Sequence, residues 1–530
     1  MITRFAVTFL VIAELFSSFA VFAKEGLKAN VKSKDKGADL KKHDDFFSRS
    51  VDKETLEVKR TATIDLKNGD EFVLRASIVK EKIGTTYVKR LAYNGMIPGP
   101  MLRVKQGSEI KVKLINDTDV DTSLHSHGLR LDSKNDGIPG ISQPPILPGQ
   151  SFTYTLSFPD SGFFWYHPHI REDYAQELGL YGTIRVLPAD STYHNEAKRE
   201  VPLILDDINL ASDGQMPKFF KDRTNYALMG RFGNVLLVNN EKMFTVNVEK
   251  SEVIRFLVIN VANTRTFRLS MPGVMIKRVA GDLSLYEKEE FVDEVILSPS
   301  ERVLIEIAFD IKGNYKLFQR GAGQAVPIAE VNVSDPNPNM EFQRVVPFDK
   351  LHENPLVVSQ MLAVRKLISK KPDRSISLRV ALSEQLKKSM HGMNHHSSSS
   401  IEWEDPMESM NFSSSSKDLS WDIFEKSTGK KNMEINWKFK LGKLEKIQIS
   451  NEAHSDHPMQ HPIHFHGQRF AVLSENGVIN KNMVWKDSVM VPAGETLEIV
   501  LDPSNPGRWM AHCHIAEHLH SGMMIGFQVD

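Results

Sequence analysis

Cysteine is almost absent: the 530 residues contain one, Cys513. An internal disulfide is therefore excluded, and a lone thiol needs some other reason to be there. Charge of one sign is missing too. Lys and Arg number 66 against 67 Asp and Glu, a formal net charge of -1, which gives no electrostatic basis for nucleic acid or an acidic membrane as partner. Long apolar runs are confined to the N-terminus. Residues 1–23 carry Arg4, then a mostly apolar Phe5 to Phe22, and close on Val21-Phe22-Ala23, the layout of a cleavable export signal. An uncleaved anchor is the alternative, but the stretch is short for a bilayer span. The expectation is a soluble, monomeric mature chain, periplasmic or secreted, starting near Lys24.

What is present is mostly short strands. Residues 24–60 are rich in Lys, Asp and Ser and read as a flexible leader. From Thr61 the chain alternates apolar and polar residues in short runs such as Phe72–Ala76, Glu109–Leu114 and Ser151–Leu156, separated by Gly, Pro and Asn-Asp. That rhythm predicts an all-β protein built of Greek-key sandwiches. The units expected are 61–190, then 191–340, a linker at 341–374, and a third unit at 375–530. Histidine is missing from Val201 through Val333 in the second unit. The third is interrupted at 389–420 by SMHGMNHHSSSS and DPMESMNFSSSS, a Ser-, Met- and His-biased stretch that reads as a mobile insertion.

Ten of the 19 histidines fall in four clusters: His125/His127, His167/His169, His461/His464/His466 and His512/His514/His518. On a strand, residues i and i+2 share a face, so each His-x-His pair presents two imidazoles side by side. Imidazole alone leaves copper, zinc, iron and nickel open. Cys513, between His512 and His514, points to the opposite face and can join His518 and the more distant His461. Met523 follows ten residues later. Two histidines, a thiolate and a weak axial thioether are the ligands of a blue-copper electron-transfer site, and a metal-bound thiolate accounts for the single cysteine.

The segments HSHG, YHPH, HPIHFHG and HCHIAEHLHSGMM resemble the four copper-binding signatures of the multicopper oxidases, in that family's order, within a likeness that runs from Thr61 to Asp530. The resemblance implies three consecutive cupredoxin-like domains and four copper ions, with O2 as electron acceptor. By motif position, Cys513, His461, His518 and Met523 would hold the type 1 copper, and His125 and His464 the type 2. His127, His167, His169, His466, His512 and His514 would hold the type 3 pair. Asp136 matches a family acid that bonds water near the type 2 site, or is a plain Asp-Gly turn residue. Asp487 resembles an outer position supporting the ligands, or is a strand-end acid. Many relatives carry an acid where this chain has Leu519; Glu172, Asp173 and Glu177 are candidate replacements for it.

The family's reductants include phenols, Fe(II) and Cu(I). Met390, Met393, Met407 and Met410, with His391, His395 and His396, lie on the insertion, which resembles the Met-rich insert of bacterial copper-efflux oxidases. Thioethers prefer Cu(I); a Ser-rich loop with incidental methionines is the other reading. Asp456, His457 and Met459 stand just before His461, as a docking point for substrate Cu(I) or as a polar loop. The lone Arg4 departs from the twin-arginine signal of copper-efflux relatives and favours export unfolded, with metal taken up outside. Electrons are expected to enter at an exposed blue site. The expected function is a multicopper oxidase acting on Cu(I) or phenols in copper tolerance. A laccase or ferroxidase is the alternative, and a non-catalytic copper-binding protein is disfavoured by the full ligand set.

Overall fold

The computed structural model describes residues 45–189, 197, 199–321, 323–336, 348–390 and 399–530. Residues 1–23, read above as an export signal, lie outside them, as do His391, Met393, His395 and His396.

Alternation in the sequence becomes alternation in burial. In the strand Glu109–Asp117, Ile110, Val112, Leu114 and Asn116 are buried and the intervening residues mostly exposed, as a strand with one face on a core requires. The sheets form three pairs along the chain, and each pair repeats the same two parallel contacts. In the first sheets these are Glu71–Ile83 with Glu109–Asp117, Arg199–Ile208 with Val253–Asn260, and Arg374–Leu382 with Glu445–Asn451. In the second sheets they are Met101–Lys105 with Gly182–Leu187, Phe244–Glu249 with Ala325–Ser334, and Asn436–Phe439 with Met524–Val529. Parallel neighbours need crossover connections, so the hairpins are wound into cupredoxin-like sandwiches.

Between sandwiches, the middle strand Val253–Asn260 is buried along its whole length. Phe256 and Val258 face their own core, while Leu257 and Ile259 pack with Phe163 and Trp165 of the first sandwich. The first and third share a core through Leu129 and Tyr166 on one side and Ala471, Leu473 and Trp485 on the other. Among the described residues no helix is long and apolar enough to cross a membrane.

Three expectations need correction. The leader is not loose over its described part: Phe46 bridges Phe220, Phe47 stacks on Tyr174 at 4.1 Å, and Glu57 and Lys59 bridge Lys80 and Met96. The linker holds a helix, Pro355–Arg365, whose Asn354 side chain accepts from Val357 N–H, an Asn-Pro start signal. The insertion is not a free loop over 399–420 either. It forms the helix Glu408–Ser413, and its buried polar residues bond the backbone of another segment. Asn411 accepts from Met229 N–H and donates to the Gly230 carbonyl, and Ser414 accepts from Leu228 N–H.

Candidate metal centre

The sandwiches converge their histidines at the seam between first and third. His125 pairs in register with His167 across two strands, and His127 N–H bonds the Trp165 carbonyl. In the third sandwich His461–Phe465 lies against Gly507–Cys513 with His464 opposite His512 and Ile463 opposite Cys513. Period two then sends His464 and His512 to the seam and Cys513 to the other face.

Three groups of ring nitrogens meet at the seam: His127 with His167 and His514, His169 with His466 and His512, and His125 with His464. In the first, His127 Nε2 is 3.0 Å from His167 Nε2 and 3.1 Å from His514 Nε2. In the second, His512 Nε2 is 2.9 Å from His466 Nε2 and 3.3 Å from His169 Nε2. His125 Nε2 and His464 Nε2 are 3.4 Å apart. A fourth group is separate: Cys513 Sγ lies 3.6 Å from His461 Nδ1 and 3.8 Å from His518 Nδ1.

Copper fits this arrangement, because protons cannot explain it. His466 Nδ1 faces Asp136 Oδ2 at 2.9 Å, His512 Nδ1 the Cys513 carbonyl at 2.8 Å, and His169 Nδ1 lies 3.0 Å from Glu172 Oε1. The Asp136 and Cys513 acceptors place the proton on Nδ1 of His466 and His512, so those two Nε2 lone pairs meet with no hydrogen between them. His125 and His464 repeat the pattern, with Nδ1 on the carbonyls of Asp136 at 2.8 Å and Asp487 at 2.9 Å. A cation removes that repulsion. Burial first, and then neighbouring imidazoles, hold His127, His167, His464 and His466 well below the usual histidine range, and hold His514 and His512 at about 3. The rings are therefore neutral ligands. At the fourth group burial pushes the Cys513 thiol up and His461 down to about 3. Met523 is fully buried in the same apolar cluster as Cys513, and its carbonyl accepts from Cys513 N–H at 3.1 Å. Histidine, thiolate and thioether together suit copper better than the oxygen-seeking cations.

Asp136 is both turn and acid. It caps the short helix Ser133–Asn135, and Gly137 follows at φ +80. A Cβ there would meet the Leu124 carbonyl oxygen at 1.9 Å, so glycine is what lets this turn press against His125. Its carboxylate contacts the ligands His466 and His125 themselves, at 2.9 and 3.2 Å. Asp487 offers His464 its carbonyl, and its carboxylate is taken by Arg302 at 2.5 and 2.9 Å. It is a positioning residue rather than a catalytic one.

Glu172 is the relay candidate that reaches the centre. It lies 3.0 Å from His169 Nδ1, and its other oxygen bonds His520 Nε2 at 2.6 Å. Burial alone would raise its carboxyl, but His169 and His520 draw it well below the carboxylate range. Asp173 is held by Arg171 at 2.8 and 2.9 Å. Glu177, pushed well up by burial, faces Arg231, Asp206, Asp207 and Glu517.

The blue site is not exposed: His461 and His518 are both fully buried. Trp421, just beyond the insertion, stacks on His518 at 4.0 Å, meets His461 edge-on at 4.8 Å, and donates to the Ala227 carbonyl. Glu402 and Gln460 exchange two hydrogen bonds beside His461. Residues 402–421 and 227–230 thus form a cover. The trio before His461 is dispersed. Asp456 accepts from Leu382 N–H and pairs with Lys387, His457 is nearly buried, and Met459 is fully buried in the core. Met390 and Met410 pack partly buried against that core, and Met407 is buried in it.

Trp421, Arg302 and His520 were not singled out from the sequence. His520 carried a signal, since it forms a His-x-His pair with His518. Arg302 and Trp421 carried none, because their partners lie 185 and 194 residues away.

Two family models, both described as multicopper oxidase, match residues 79–191 and 402–530. The chain is 27% identical to the multicopper oxidase mco of Staphylococcus epidermidis, over 82% of each chain. It is 24% identical to a copper resistance protein A homolog of Pseudomonas syringae, covering 87% of this chain and 93% of that one. Among solved structures, a multi-copper oxidase from Pseudomonas thermotolerans superposes with TM-score 0.64 at 25% identity, over 88% of this chain and 99% of the other.

Proposed function

The chain belongs to the multicopper oxidase family, and on that premise we propose that it is an exported metallo-oxidase that oxidises Cu(I) with O2 and serves copper tolerance. The cover over the blue site carries this reading. Both of that site's imidazoles are fully buried, which leaves no ring edge for a bulky phenol to touch and favours a small ion handed in through the cover. Thioethers that prefer Cu(I) are there to receive it, in Met390, Met407 and Met410. The name of the copper resistance relative agrees with this reading.

Four copper ions would supply one-electron redox chemistry and storage, so that four Cu(I) give four electrons and O2 takes these with four protons to form two waters. The chain supplies the path. Cys513 is bonded through its own peptide to His512 and His514, and its carbonyl accepts from His512 Nδ1 at 2.8 Å. Two short routes therefore lead from the thiolate to the seam. Glu172 is the acid placed to supply protons, since His520, whose side chain is 25% exposed, bonds it at 2.6 Å and its other oxygen lies 3.0 Å from His169. Asp136 anchors the rings from the opposite side.

Oxygen uptake by the copper-loaded protein with Cu(I), Fe(II) and a bulky phenol tests this. Cu(I) should support the fastest turnover and the phenol the slowest. Faster turnover on the phenol overturns the reading in favour of a laccase, on Fe(II) in favour of a ferroxidase. No uptake with any reductant leaves a copper-binding protein.

A further inference from the structure

We infer that Arg302, in the sandwich that supplies no copper ligand, is a positioning residue for His464 and acts by keeping the Asp487 carboxylate off that imidazole. The inference rests on reading His125 and His464 as a copper pair.

His464 Nδ1 has two acceptors available on one residue. It bonds the Asp487 carbonyl at 2.9 Å, with Asp487 Oδ1 only 3.9 Å away and Ser488 Oγ at 3.2 Å. A carboxylate is the stronger acceptor, since charge shortens and strengthens a hydrogen bond. It loses here because it is already engaged. The Arg302 fork takes both oxygens, Nη1 to Oδ1 at 2.5 Å and Nη2 to Oδ2 at 2.9 Å, and Ser488 Oγ donates to Oδ1 at 3.0 Å. Arg302, Asp487 and Ser488 are all essentially buried.

The fork is itself held in place. Arg302 N–H donates to Asp282 Oδ1 at 2.8 Å, Nη1 to the Ser300 carbonyl at 3.1 Å and Nη2 to the Asp282 carbonyl at 3.2 Å. Ser300 Oγ meets Ser488 Oγ at 2.8 Å, and Lys486 reaches Asp282 and Glu301. Nε lies 3.4 Å from the Phe163 carbonyl, on the strand that ends at His167. One side chain of the middle sandwich therefore ties the ligand strand of the first to the residue that orients a ligand of the third.

The partner ligand shows the contrast. His125 Nδ1 lies 2.8 Å from the Asp136 carbonyl and 3.2 Å from that residue's Oδ1. Asp136 shares its carboxylate with the imidazoles, whereas Asp487 has its own withheld. Without the fork, a buried and uncompensated carboxylate would turn onto His464 Nδ1 and rotate the ring, moving Nε2 off its line to the metal.

The test uses the full chain loaded with copper, and reads copper per chain, the blue absorption and the type 2 paramagnetic resonance signal. Arg302→Met should weaken retention of the type 2 copper against a chelator about 10-fold or more, the scale of losing an outer-shell partner, and shift its resonance parameters while the blue absorption stays. Arg302→Lys, which keeps the charge and loses the fork, should fall between. Adding Asp487→Asn to Arg302→Met should restore most of the type 2 signal, because an amide brings no charge to His464. Unchanged type 2 properties in Arg302→Lys overturn the inference, as does proportional loss of every copper in Arg302→Met that Asp487→Asn does not rescue. A wild-type protein with no type 2 signal would instead overturn the copper pair on which the inference rests.

Discussion

Asp136 Oδ2 bonds His466 Nδ1 at 2.9 Å, so a carboxylate from a tight turn of the first sandwich orients an imidazole of the third. The same residue holds His125 through its carbonyl. It therefore acts on both sides of the seam at the point where the metal groups adjoin.

Changing Asp136 to Asn keeps the size and the turn but removes the anionic acceptor. The electron-accepting site around Cys513 lies on the other face of the strand, so its reduction should be unaffected. Reoxidation by O2 involves the rings that this carboxylate orients and should slow about 10-fold or more, the scale of losing a partner that orients a metal-bound imidazole. Stopped-flow absorbance separates the two half-reactions. Equal rates of reoxidation in variant and wild type would reduce Asp136 to a turn residue.

Cys513→Ser tests the other end of the path. The residue is fully buried and serine is nearly isosteric, so the fold should survive with a loss of about 1–2 kcal/mol. The blue absorption and oxygen uptake should both vanish, with circular dichroism of the β-fold unchanged. Retained turnover would mean electrons enter elsewhere.

The histidine clusters that the structure gathers into groups able to hold a metal were legible in the sequence because their geometry is local. A His-x-His pair on a strand declares its face, and Cys513 between two histidines declares the opposite one. The β class was legible for the same reason. Three units were legible in their strand rhythm, but the parallel pairings each repeats, such as Arg199–Ile208 with Val253–Asn260, were not, because shared residues do not mark them. Asp487 was read as a supporting acid, but its partner Arg302 lies 185 residues away, and no periodicity links them. The insertion misled through its composition. Serine and asparagine look like solvated loop, yet Asn411 and Ser414 use those polar groups on the backbone of 228–230.

Asp206 gives a pH-dependence away from the copper ligands. Burial, opposed by the Tyr181 hydroxyl donating at 2.6 Å and by Arg90, raises its carboxyl to about 7, with Asp207 adding to the rise. The unfolded chain loses this proton near the ordinary aspartate value of 3.8, so between the two values the folded state binds more protons. Stability contributed here is present at low pH and falls as pH rises toward 7, by at most about 1.4 kcal/mol per pH unit. Asp206→Asn keeps an acceptor for Tyr181 and should flatten that part of the stability profile in chemical denaturation. An unchanged slope between pH 4 and pH 7, both taken as roughly the limits of that window, would show that Asp206 is ionised throughout.

Asn411 fastens the cover over the blue site. Its amide accepts from Met229 N–H at 3.1 Å and donates to the Gly230 carbonyl and to Asp405, both at 2.8 Å. Asn411→Ala leaves a buried N–H and a buried carbonyl without partners, which costs about 1–3 kcal/mol. The loss falls on the closed cover alone, because both groups find water once it opens. The open form should therefore gain roughly tenfold or more in population. If the cover excludes phenols from His461 and His518, phenol-driven oxygen uptake should rise by a similar factor. Cu(I)-driven uptake should hold or fall, since Met407 and Met410 shift with the helix Glu408–Ser413. Faster hydrogen exchange at Leu228 to Gly230 would report the opening independently of turnover. Phenol oxidation that stays level while exchange accelerates would show that reductants do not reach the site through this cover.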